Sequence, residues 1–219
     1  MTRLIQRLAV LLTFVLLGVA PSAHAQIILA DSVTEFSGIQ GQNNWFYGYY
    51  ATSGVSSSFT QFTIFDINDW KESNTFPPFT NLNAIGGHPG GSNSSPGIEH
   101  WAVRRYISEK NGGLILQGDI AKNDLDSPTS SGTVGRIYHN GLEIYSQTIA
   151  GGDGIGVHYL VRLNEVALGD HIDFAIDPNG DDYFDGTRFT ARVTAPAPSS
   201  LLIGCVGVLP LLILRSRRR

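Results

Sequence analysis

From residue 26 to residue 194 the apolar positions come in short bursts, not in helical stripes. β-branched and aromatic residues alternate with polar ones, and glycine, asparagine, serine or proline closes each burst. This pattern predicts strands near 27–36, 59–67, 101–107, 114–120, 134–139, 142–149, 157–166, 171–176 and 187–193. Strands in that number with no helices between them imply an all-β chain, an antiparallel β-sandwich of jelly-roll type. The sharpest local signal is Asn140-Gly141, set between Ile137-Tyr138-His139 and Leu142-Glu143-Ile144. Both turn residues tolerate the positive φ that a type I′ hairpin demands. Strict alternation would then turn Ile137, Leu142 and Ile144 inward. Residues 73–78 and the run GGHPGGSNSSPG at 86–97 are too rich in turn formers to be regular and are expected as loops.

The pattern changes at both ends. Arg3 and Arg7 precede an apolar run over 8–20, and Ala23-His24-Ala25 supplies small residues for a peptidase. This is the layout of a signal peptide cleaved after Ala25. Residues 201–214 form a second apolar island, closed by Arg215, Arg217, Arg218 and Arg219. Counted from Ser199, it is 16 residues long, slightly short of the ~17–25 of a membrane helix. Pro210 would kink it. Arginines stay on the cytoplasmic side, so the expected orientation puts the domain outside the inner membrane. The reading is therefore a signal peptide (1–25), a β-sandwich domain (26–194) and a tail (195–219) with a transmembrane helix.

Charge sharpens this picture. The two ends carry six arginines and no acids, so the stretch between them holds 9 Lys+Arg against 19 Asp+Glu, a formal −10. Nucleic acid and anionic lipid both need a basic surface and are excluded as partners of the domain. The one cysteine, Cys205, lies in the tail, so the domain forms no disulfide of its own.

Two groups of residues suggest chemistry. Trp45, Phe46, Tyr47, Tyr49 and Tyr50 crowd together beside Asn43 and Asn44. Flat rings stack on the C–H faces of sugars while amides bind their hydroxyls, so Trp45, Tyr47, Tyr49, Asn43 and Asn44 are candidate ligand contacts. The same rings also fit a role as core, since in a strand Trp45, Tyr47 and Tyr49 share one face. Asp177, Asn179, Asp181 and Asp185 place oxygens at near-alternate positions, which suits a structural calcium ion or a solvated turn. Histidines 88, 100, 139, 158 and 171 show no metal-ligand spacing, and no motif selects a nucleophile or a carboxylate pair. No catalytic residue and no cofactor beyond calcium is expected.

Ala195-Pro196-Ala197-Pro198-Ser199-Ser200, the apolar island and the terminal arginines together resemble the PEP-CTERM sorting tail of Gram-negative bacteria. Pro196, Ala197, Pro198 and the four arginines match its parts, with Ala197 where glutamate is usual. The resemblance implies an exosortase-type processing enzyme as partner and a link to exopolysaccharide. It also implies a route from the inner membrane, with the domain in the periplasm, to the cell surface or extracellular matrix. The run FSGIQGQNNWFYGYY at 36–50, with His88-Pro89, Trp101-Ala102-Val103-Arg104-Arg105 and Gly169-Asp170-His171-Ile172-Asp173-Phe174, is similar to extracellular carbohydrate-binding β-sandwich modules. The expected function is a non-catalytic surface or matrix protein that binds polysaccharide. The alternatives are a purely structural surface protein and a glycan-acting enzyme.

Overall fold

The computed structural model describes residues 26–93, 97–126 and 129–196. The expected signal peptide, and the tail from Ala197 onward with its arginines, lie outside the described residues. One compact unit spans Ile27–Pro196, so Ala195 and Pro196, expected in the tail, belong to its last strand. Its strands are β1 (Gln26–Asp31), β2 (Trp45–Tyr50), β3 (Phe59–Gln61), β4 (Ile64–Asp66), β5 (Asp69–Lys71), β6 (Asn81–Leu82), β7 (Gly86–His88), β8 (Trp101–Ile107), β9 (Gly112–Lys122), β10 (Thr133–His139), β11 (Leu142–Ile149), β12 (Val157–Val166), β13 (His171–Asp177), β14 (Thr187–Phe189) and β15 (Arg192–Pro196). Six of them form one sheet in the order β11-β10-β13-β8-β2-β3. The other nine run β1-β15-β9-β14-β7-β6-β5-β4, with β12 on the second edge of β9.

Strand β9 organises the larger sheet. β12 pairs along it antiparallel, from Val157 opposite Ile120 to Leu163 opposite Leu114. Its other edge is shared in turn by β14, with Phe189 opposite Ile120, and β15, with Val193 opposite Leu116. The single strand expected over 187–193 is therefore two. The break at Thr190 is satisfied locally, because its N–H donates to Asp119 O at 3.1 Å and its carbonyl accepts from Tyr159 Oη at 2.8 Å. Aromatic rings meet between the sheets. Phe174 of β13 lies 5.9 Å from Phe189 of β14, edge to face, and Tyr159 of β12 stands 5.7 Å from the same ring. Burying one such side chain contributes roughly 1.5–3 kcal/mol.

Charged side chains also turn inward among the described residues. Arg104 of β8 is buried in the core, where its Nη1 donates to Phe189 O at 3.1 Å and its Nη2 to Asn83 O at 2.6 Å and Ala84 O at 3.3 Å. Burial pulls its pKa down to about 10, which leaves it a cation at neutral pH. A strand of the six-stranded sheet is thereby bound to β14 and to the β6–β7 turn of the other sheet.

The hairpin forms at Asn140 and Gly141, with φ of 50° and 84°. Ile137 pairs with Tyr145 but Tyr138 with Glu143, so Ile144 is an extra, bulged residue. The bulge breaks the alternation. Ile137 is buried and Ile144 packs against the core, but Leu142 is 71% exposed and not inward as expected. The loop expected at 86–97 also begins as a strand. β7 is Gly-Gly-His, with no side-chain alternation to read, and its place comes from pairing with β6 and β14.

Arg104→Ala leaves three carbonyls without their donor, and each unsatisfied buried group costs about 1–3 kcal/mol. We expect the unfolding free energy in urea to drop by at least ~3 kcal/mol, with Arg104→Lys recovering only part. An unchanged urea midpoint would show that the guanidinium is not what joins the sheets.

Candidate functional site

Register brings four loops to one end of the larger sheet. Asn81, which opens β6, lies opposite His88, which closes β7. Gly87 faces Thr187 at the start of β14, and Thr187 faces Lys122 at the end of β9. The chain segments before β6, after β7, after β9 and before β14 therefore leave the sheet together. Short polar contacts fasten them. Asn123 and Asp124 donate backbone N–H groups to Gly186 O at 2.8 and 3.1 Å, and Ser92 Oγ donates to Gly180 O at 2.8 Å. Gly90 pairs with His100. Gly91 has to be glycine, since a Cβ there would lie 2.9 Å from Asp182 N and 3.0 Å from its Cβ.

These loops enclose a cleft of about 370 Å³ walled by Phe79, Tyr183 and Phe184 together with His88, Asn93, Asp124 and Asp182. Four Phe, Tyr or Trp rings are exposed among the described residues; two of them, Phe79 (41%) and Tyr183 (44%), line the cleft, and a third, Phe76 (56%), lies against Phe79. Phe76 stacks on Phe79 at 5.1 Å and 13°, Phe79 lies 5.9 Å from His88, and Tyr183 meets Phe184 edge to face at 4.4 Å. Phe184 holds φ at 55°, a left-handed conformation that bulky side chains rarely adopt. His88 Nδ1 is 2.6 Å from Pro89 O and must carry the proton it donates, so Nε2 of the neutral ring is an acceptor. Burial lowers the His88 pKa and keeps that ring neutral at pH 7. The cleft thus combines flat apolar faces with two carboxylates, an amide and an imidazole acceptor, a set able to grip a polyhydroxylated ring.

The residues singled out from sequence lie elsewhere. Trp45 and Tyr47 are wholly buried, so neither ring has a face open to a ligand. Trp45 packs on Tyr106 at 5.2 Å and on Phe174, while its Nε1 donates to Glu35 at 3.0 Å. Tyr47 stacks on Trp70 at 6.0 Å. Tyr49 is half-buried against the His100 ring at 4.6 Å. Asn43 is exposed and Asn44 half-buried in a turn with φ of 52° and 63°, and Asn44 Nδ2 donates to Glu109 at 3.3 Å. The physical reason is that β2 is an interior strand, flanked by β3 and β8, and its odd positions face the core.

Asp177, Asn179, Asp181 and Asp185 are drawn into separate bonds. Asp177 accepts from Arg136 Nε at 2.8 Å and from Asn179 N at 2.8 Å, and Asp181 accepts from Tyr183 N at 2.9 Å. Asp185 accepts from Lys122 Nζ at 2.7 Å and from Ser130 Oγ at 3.0 Å. No cluster of three metal-binding His, Cys, Asp or Glu residues occurs among the described residues. A positive charge does stand beside Asp185, but it is the fully buried ammonium of Lys122. Burial pushes the Asp185 carboxyl up to about 7 against that attraction.

A second polar group covers the outer face of the six-stranded sheet. Arg105 clasps Asp173 with Nε and Nη2 at 2.6 and 2.8 Å and lies 4.1 Å over Phe59. Tyr50 Oη and Ser56 Oγ donate to the same carboxylate at 2.6 and 2.7 Å. His171 Nε2 sits 3.2 Å from Ser56 Oγ. The single proton of Ser56 already goes to Asp173, so His171 acts toward it as a donor and not as a base.

No protein-family model and no curated protein matches the chain. Among solved structures it is similar to the CBM51-2 and INT domains of ZmpB from Clostridium perfringens, at 12% identity and TM-score 0.36 over 59% of this chain and 30% of that one. It is also similar to a family 35 carbohydrate binding module from Clostridium thermocellum, at 10% identity and TM-score 0.32 over 77% and 97%. A β-glucosidase from Kluyveromyces marxianus in complex with glucose aligns at 14% identity and TM-score 0.35 over 80% of this chain and 19% of that one. The chain thus spans under a third of the first and third of these proteins. At such scores the likeness says nothing of where or what this chain binds.

Two outcomes are expected. Trp45→Ala should lower stability by about 3–5 kcal/mol in chemical denaturation, as for other buried rings; a stable variant that only loses a ligand would return Trp45 to a surface role. For Asp185 the carboxyl holds its proton above its ordinary 3.8, so its contribution is whole below about pH 4 and is lost as pH rises through 7. Stability measured from pH 4 to 8 should therefore fall relative to a Lys122→Met/Asp185→Asn double variant. A difference that stays flat over that range would mean Asp185 titrates normally.

Proposed function

We propose that this chain is an exported, non-catalytic protein of the cell surface or extracellular matrix whose β-sandwich binds polysaccharide through the cleft at Phe79, His88 and Tyr183. The observation that supports this most is a loop-built cleft lined by the exposed rings of Phe79 and Tyr183, with exposed Phe76 stacked on Phe79, that also holds Asp124, Asp182 and Asn93. Exposed rings cost solubility and are kept where a ligand covers them. Export and sorting rest on the sequence of the two ends: an N-terminal signal, then a Pro-Ala-Pro tail handed to an exosortase-type enzyme, with the inner membrane as a way station. The net acidity of the domain suits a neutral glycan better than a polyanion.

Affinity electrophoresis in gels cast with neutral polysaccharides tests the reading. Retardation of the wild-type domain should be lost in Phe79→Ala and in Tyr183→Ala, each with unchanged circular dichroism. Ligand-covered aromatic anchors are worth about 2 kcal/mol or more, so affinity should drop well over tenfold. Retardation that survives both changes would place the sugar elsewhere, and none in any gel would leave a purely structural role.

A further inference from the structure

A second cavity adjoins the aromatic cleft. It measures about 180 Å³ and shares His88 as a wall, with Asn81, Asn83 and Asn123 around it and Gly87 and Thr187 beneath. Its chemistry differs from that of the cleft, because amides replace rings. Two of the three amides are partly committed. Asn81 Nδ2 donates to Phe79 O at 2.8 Å, and Asn83 Oδ1 accepts from the N–H groups of Ile85 and Gly86 at 3.1 and 3.0 Å. Those bonds hold the two side chains in place and leave Asn81 Oδ1 and Asn83 Nδ2 as one acceptor and one donor. Asn123 is exposed, and its side chain makes no hydrogen bond to another described residue, so its whole amide is open to a ligand. A carboxamide offers donor and acceptor side by side, which matches a pair of neighbouring hydroxyls.

We propose that the two cavities are consecutive subsites for a neutral oligosaccharide that lies across His88, one unit against Phe79 and Tyr183 and the next held by Asn123. This rests on the glycan-binding reading above and adds ligand length and charge to it. His88 Nε2, at the shared wall, accepts a hydroxyl proton at the junction between the units. Neutrality follows from the walls. Neither cavity is lined by lysine or arginine, whereas Asp124 and Asp182 both line the first. The nearest buried cation, Lys122, is spent on Asp185. A uronate would meet the Asp124 carboxylate, with no lysine or arginine on either wall to offset it.

Calorimetric titration with gluco-, manno- and galacto-oligosaccharides of one to four units, and with galacturonate oligomers of the same lengths, tests the proposal. The expected result is an affinity that rises about tenfold or more from one unit to two or three, with the galacturonates binding at least tenfold more weakly at every length. Asn123→Ala should flatten the rise. Its backbone bond to Gly186 O does not involve the side chain, so the fold should persist by circular dichroism. Equal affinity for one and three units, a rise that survives Asn123→Ala, or galacturonates that bind as tightly would each overturn the two-subsite proposal. If such binding were still abolished by Phe79→Ala, the cleft would stand and only the second subsite would fall. Binding of no sugar by the wild type would overturn both.

Discussion

The hold of Arg104 on three carbonyls is the constraint on which the remaining structure depends. A β-sandwich is ordinarily closed by apolar contact, which is non-directional and tolerates sliding of one sheet over the other. A guanidinium does not tolerate it. Its donors lie in a fixed plane, and here they are aimed at Phe189 O, Asn83 O and Ala84 O. The side chain has no carboxylate among its hydrogen-bond partners, so carbonyl dipoles hold the cation directly while the Asp31 charge supports it from farther away. Tyr47 Oη and Arg104 Nε are both buried with no partner among the described residues, which leaves this part of the core polar beyond what its bonds require. The register of β8 against β14 and the β6–β7 turn follows from that geometry.

The cleft inherits its precision from the same contact. β6, β7 and β14 carry three of the four loops that build it, and Arg104 bonds to β14 and to the β6–β7 turn. Beneath the loops, the buried Lys122–Asp185 pair and Ser130 tie the end of β9 to the segment before β14. An ammonium thus does in this acidic loop what a bound cation would do, drawing one carboxylate inward while Asp182 stays at the cleft wall. Aromatic rings on such a frame lose little freedom on meeting a ligand, which favours binding by a site built from loops.

The two polar faces of the domain differ in what they leave unused. On the outer face of the six-stranded sheet, Arg105, Asp173, Tyr50 and Ser56 satisfy one another, and burial with the nearby Asp173 charge drives the Tyr50 phenol pKa far up. In the cleft, the His88 acceptor and the rings of Phe79 and Tyr183 remain open. A network closed on itself stabilises a fold, whereas open groups on a firm frame are free to meet a ligand.

The all-β class, most strand positions and the Asn140-Gly141 hairpin were legible along the chain, because alternation and turn chemistry are local properties. So were the turn-rich stretch at 73–78 and the part of 86–97 that follows the β7 strand, which contributes Asn93 to the cleft. Leu142 and the Gly-Gly-His strand were not, since a bulge and a strand without side chains depend on the partner across the ladder. The largest reversal is the aromatic run. Residue type alone does not separate Trp45 or Tyr47 from Phe79 or Tyr183: each is a ring with another aromatic within three positions. Whether a ring becomes core or surface is decided by what packs against its strand. β2 lies between β3 and β8 with its odd positions turned inward, while Phe79 and Tyr183 sit on loops that no sheet covers. The sequence by itself determined the kind of elements and the residue chemistry at hand. Only the tertiary structure decided which rings see water, because burial is set by pairings between residues far apart in the chain.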